Sequence, residues 1–166
     1  SELAVEPLPQ IPTISEDTEA IAAWLLTRFG ADLQATQATT TATDLWTITI
    51  PALLEADERS LARALAISAL DLVSTNDPAE IAIALRARDL QLHDDALIAT
   101  LRVVAGWSAA ERLATPLALE RLGYPSPWTP ELTAATQEFQ VPPLLLLALV
   151  RQESAFNPEA ISPAAA

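Results

Sequence analysis

The chain has 166 residues, enough to bury a core, and with 51% apolar against 19% charged residues it is globular rather than disordered. Nine Lys+Arg against 22 Asp+Glu give a formal charge of −13, which leaves no basic face for phosphates and excludes nucleic acid as an expected partner. Cysteine is absent, so disulfides and thiolate metal sites are excluded.

Alanine and leucine dominate and glycine is scarce (3), a mixture that predicts an all-α fold. The longest apolar run, residues 141–150, is too short to cross a bilayer. No basic stretch followed by an apolar one opens the chain, so no signal peptide is visible. The chain begins at Ser1 and contains no methionine, which reads as a processed product or a fragment.

Residues 1–14 carry Pro7, Pro9 and Pro12 and read as an extended lead-in. A helix is expected over 16–29, with Ser15 as N-cap and Glu16, Asp17 and Glu19 near its first turn. Ile21, Trp24, Leu25 and Phe29 follow at helical spacing, and Gly30 fits the stop. In residues 45–50 the run LWTITI alternates, which suits either a short strand or an irregular connection.

Residues 51–107 read as helical hairpins. Asn76 is a predicted cap ahead of Pro78, Ile81, Ala84 and Leu85 form one stripe, and Asp94 is the expected cap of the next helix. Helices of similar length joined by short turns suggest an antiparallel, solenoid-like superhelical array over residues 15–122, although no repeat of fixed period is present. The proline-rich stretch 123–130 reads as a stiff connector. Thr129 is then the expected cap of a helix with Pro130 at its start. Pro142-Pro143 opens a last helix running to about Phe156, stopped by Asn157-Pro158 and not resumed at Pro163.

The last helix raises a chemical question. Seven apolar residues, 144–150, run into Arg151-Gln152-Glu153-Ser154. At about 100° per residue, Leu149 lies about 40° to one side of Glu153, Val150 about 60° to the other, and Leu146 nearly in line. Glu153 therefore shares the apolar stripe, where burial and the negative helix end both disfavour its charge. An acid kept in such a place suits a proton donor near neutral pH. The plainer alternative is a helix-terminal glutamate at the surface, paired with Arg151.

Glu153-Ser154, Phe156, Asn157-Pro158 and Ser162-Pro163, preceded by the Tyr124-Pro125 connector and the helix after it, resemble the start of the catalytic domain of soluble lytic murein transglycosylases over residues 122–166. The chain departs from the family pattern at Pro142, where a polar cap is usual, and in its Ala-rich turn after Pro163. It ends before the Gly-Leu-Met-Gln segment of the family. The resemblance implies the first helices of a lysozyme-like catalytic domain over 131–166, truncated, and negligible activity of this piece alone. It implies a cell-envelope enzyme acting on peptidoglycan glycan strands, with Glu153 as the single catalytic acid and Ser154 binding substrate. No cofactor and no metal are expected. A non-catalytic helical-repeat module with a degenerate catalytic end is the rival reading.

Other residues attract structural readings. His93, the only histidine, reads as a turn residue. Trp24, Trp46 and Trp107 read as core, and Trp128 as packing in the connector. Asp94-Asp95 and Glu55-Asp57-Glu58 read as helix-start charges, and Glu159 as a surface residue.

Overall fold

The computed structural model describes residues 14–32 and 40–162, and all regular structure among them is helical. The chain divides between Tyr124 and Pro125 into two compact units.

The larger unit opens with α1 (Ile14–Phe29). Gly30 stops it in a left-handed conformation (φ +63°) that a residue with a Cβ adopts only at a cost, and its N–H bonds to Leu26 O at 3.0 Å. Ser15 is not the cap. The helix begins before it, and the Ser15 hydroxyl lies 3.5 Å from Glu19. Asp17 is buried and ion-paired with Arg121, a far stronger constraint than the helix dipole.

The alternating segment is helical, which excludes the strand. Helix α2 (Thr40–Asp44), a π-helical turn (Leu45–Thr49) and α3 (Ile50–Glu55) follow one another without a break. Ala42, Trp46 and Ile50 are all buried, and their spacing of four outweighs the two-residue alternation; Ile48 is exposed. A wider turn keeps residues four apart on one face, and the side chain of Arg86 donates to Trp46 O at 3.2 Å.

Helix α4 (Arg59–Asp71) packs against α3, and α5 (Asp77–Asp89) against α6 (His93–Ala105). Asn76 caps α5 as expected, its side chain accepting from the Ala79 N–H at 3.2 Å. Ala84, Ala87, Ala96 and Ala99 are buried, and small residues of this kind let two helices approach closely. Two short helices, α7 (Ala109–Leu113) and α8 (Leu117–Gly123), complete the unit, with α8 against α1 and α6. Ser108 and Glu111 form a reciprocal capping box on α7.

Ile21, Leu25, Trp46, Ile50, Ile81 and Leu119 belong to one buried cluster. Trp107 is part of it, donating to Asp77 at 2.8 Å, and half-buried Trp24 packs against both the cluster and the Trp107 ring. Ion pairs lace the helices together. Arg63 on α4 meets Asp94 on α6, while Arg102 on α6 reaches Asp71 on α4 at 2.7 Å and Glu80 on α5 at 3.4 Å.

Asp94 is therefore no cap. Helix α6 starts at His93, and Asp94 and Asp95 face inward, both buried.

The smaller unit contributes α9 (Thr129–Phe139) and α10 (Pro143–Ser154), which pack on each other. Thr129 is the first residue of α9 rather than its cap; its hydroxyl donates to Ser126 O at 3.0 Å, and left-handed Trp128 precedes it. Leu132 and Thr136, one turn apart, are the buried residues of α9. Helix α10 stops two residues short of the expected end, because Ala155 and Phe156 are both left-handed. Pro163 lies outside the described residues.

Candidate functional site

The C-terminal turn of α10 carries the residues that the sequence singles out. Its backbone is tightly tied. The Ala155 N–H bonds to Arg151 O at 3.0 Å, the Asn157 N–H to Ser154 O at 2.9 Å, and the Glu159 N–H to Asn157 Oδ1 at 2.8 Å. The chain thus leaves the helix through two left-handed residues into an Asx turn. Phe156, 2% exposed, anchors this exit. Two left-handed residues with side chains are costly in isolation, so burial of the Phe156 ring offsets part of that cost.

The structure corrects the expected environment of Glu153. Its side chain is exposed, not held in an oily pocket. The helical wheel places it correctly on the leucine stripe, but the stripe is itself open. Of the residues the wheel sets beside Glu153, Leu149 is 48% exposed and Leu146 and Val150 are only partly buried; Pro143 is the only fully buried residue of α10. Periodicity says which residues share a face; it does not say what covers that face. The burial expected for Glu153 is therefore not seen.

Ser154 is half-buried, and its hydroxyl donates to Val150 O at 3.0 Å, one turn back. The only proton of the hydroxyl is thereby used within the helix, which leaves its oxygen free to accept from a bound sugar hydroxyl. Glu153 presents two acceptor oxygens at the same helix end. Glu159 is exposed. Trp128 is 40% exposed, more open than a packed connector residue.

The other charged candidates lie in the larger unit. His93 opens α6, where burial lowers its pKa and favours the neutral ring. No group of three or more His, Cys, Asp or Glu among the described residues could hold a metal ion.

The buried, perturbed acids were missed by sequence reasoning. Burial pushes the Asp95 carboxyl up to about 6, with Arg63 acting weakly in the opposite sense. Burial also raises Glu80, against Arg102. Asp94 Oδ1 and Asp95 Oδ2 are buried without a hydrogen-bond partner. Two adjacent acids at a helix start look like ordinary macrodipole charges, and only the approach of α4 turns them inward.

Residues 131–166 match the model of the Transglycosylase SLT domain family. The match is confined to the C-terminal segment that carries α9, α10 and the turn after Glu153, and it supports transglycosylase-type activity in general. No curated protein and no solved structure matches the chain.

Proposed function

We propose that the α10 end is the acid-bearing element of a peptidoglycan lytic transglycosylase. The observation that supports this most is the family match over 131–166, which includes the same Glu153-Ser154 turn that chemical reasoning selects. Glu153 would protonate the glycosidic oxygen between N-acetylmuramic acid and N-acetylglucosamine. It would then accept the proton of the muramoyl 6-hydroxyl as that oxygen closes on the anomeric carbon, giving a 1,6-anhydro product. No water is consumed. Two-carboxylate glycosidases place a second acid across the bond; here the substrate's acetamido group would stabilise the cationic centre instead. Ser154 would accept a sugar hydroxyl. Such work would belong in the cell envelope, with residues 15–122 as a helical scaffold, 123–130 as the connector and 131–166 as the start of the catalytic domain.

Residues 1–166 by themselves are expected to turn over peptidoglycan negligibly. An exposed carboxylate lacks the water-excluded surroundings that make proton transfer efficient. The test is digestion of purified sacculi by the full-length gene product, with products weighed by mass spectrometry. Anhydro-muropeptides are expected; reducing-end muropeptides would instead show a hydrolytic muramidase.

The exposure of Glu153 favours a second reading, a helical interaction module whose catalytic end has decayed. It predicts that neither kind of product is released.

A further inference from the structure

The larger unit contains a cleft of about 340 Å³ between α6, α7 and α8. That volume is in the range of small-ligand sites, about 300–1,000 Å³. Leu101, Val104 and Leu119 supply its apolar lining, Arg112 and Glu120 its charges, and Tyr124 an aromatic edge.

Arg112 differs from most cations of the protein. All nine basic residues are arginines. Arg28, Arg59, Arg63, Arg88, Arg102 and Arg121 each pair with a carboxylate. Arg112 does not. Its Nε donates to Trp107 O at 3.2 Å, and its two terminal nitrogens have no partner among the described residues. Glu120 lines the same cleft and also has no ion pair or hydrogen bond among them. In a chain with 22 acids to nine cations, an arginine such as Arg112 or Arg86 that pairs with a carbonyl rather than a carboxylate is in the minority. The Trp107 carbonyl restrains the guanidinium at one edge, so its terminal nitrogens form a ready fork for a carboxylate.

We infer that this cleft binds a short peptide of small aliphatic residues with free ends, its carboxylate on Arg112, its ammonium on Glu120 and its side chains over Leu101, Val104 and Leu119. The lining argues against a sugar. A neutral saccharide leaves both charges unanswered, and its rings stack on aromatic faces, whereas the apolar lining here is aliphatic apart from Tyr124. The inference does not depend on any role of Glu153.

The test is titration of tetra-alanine into the protein, followed through backbone amide NMR. Shifts are expected over residues 100–104 and 119–123. Affinity should fall about tenfold when the peptide C-terminus is amidated, and about tenfold in Arg112→Ala, the size of one lost charge-assisted bond. Acetylating the peptide N-terminus should weaken binding to the parent protein but not to Glu120→Gln. Both substituted residues are exposed, and unchanged amide shifts in α1 and α5 show that each variant is folded. If Arg112→Ala does not fold, the amidated peptide and Glu120→Gln still decide. No shifts in the millimolar range, shifts that ignore amidation, or chitotetraose perturbing these amides in place of the peptide would overturn the assignment.

Discussion

The two units of this protein treat charged side chains differently. In residues 13–124, carboxylates go inside. Asp17, Glu80, Asp94 and Asp95 are all buried, and Arg121, Arg102 and Arg63 come in to meet them. In residues 125–162 no charged residue among those described is buried, and Glu153 stands exposed near Leu149, itself 48% exposed. The first unit spends its few cations on burying acids, so its helices are tied by charge as well as by apolar packing. The second leaves an apolar face open at the place where chemistry is proposed. Stability and candidate function are thus carried by different parts of the chain.

Four substitutions would break or sharpen this contrast. The largest effect is expected from Arg63→Ala, which strands Asp94 in the interior. Breaking a buried pair from one side costs about 3–5 kcal/mol, and adding Asp94→Asn should recover part of it. Urea unfolding checks this, and a loss under about 1 kcal/mol would mean that the pair is solvated. Ile81→Ala, at a fully buried position, should cost about 2–5 kcal/mol in the same assay.

Asp95→Asn comes next, and its sign depends on pH. The folded-state pKa is raised to about 6 from 3.8. Between these values the folded state holds a proton that the unfolded chain has lost, so this group makes stability fall as pH rises through that window. Above it, ionised Asp95 costs up to about 3 kcal/mol. The Asn variant should therefore melt higher than the parent at pH 7 and lose that advantage near pH 4. Equal gains at both pH values would refute the assignment. Glu111 has the opposite sign. Its bonds from Ser108, backbone first, and from Arg28 hold its pKa at about 2, so its contribution is present above 4.5 and lost as pH falls toward 2. The smallest change is expected from Leu145→Ala in α10, within about 0.5 kcal/mol, because this leucine is already half in water.

Features set by local chemistry were legible in the sequence. Gly30 ends α1 because its φ is positive, and Asn76 caps α5 through its own side chain. The stripe of Ile81, Ala84 and Leu85 is buried as its spacing predicts. Features set by the approach of another element were not legible. Ser15, Asp94 and Thr129 are sound cap residues, yet each lies inside its helix. For the latter two, left-handed residues just upstream, Gln91 and Trp128, reverse the chain early and start the helix sooner. The π-helical turn at Leu45–Thr49 was hidden because local alternation competes with a four-residue spacing that matters only once Trp46 has a core to enter. At the candidate site, the position of Glu153 in the last turn of α10 could be read, while its exposure was one of two readings the sequence left open. A wheel orders residues around an axis and carries no information on what lies opposite.

The most direct measurement is peptidoglycan turnover by the full-length gene product carrying Glu153→Gln, a change that keeps shape and removes the proton. Release of anhydro-muropeptides should fall by roughly 10²–10⁴-fold, the usual share of a general acid–base group, with the fold intact by circular dichroism. Turnover within a few-fold of the parent protein would contradict the account and remove Glu153 from the chemistry.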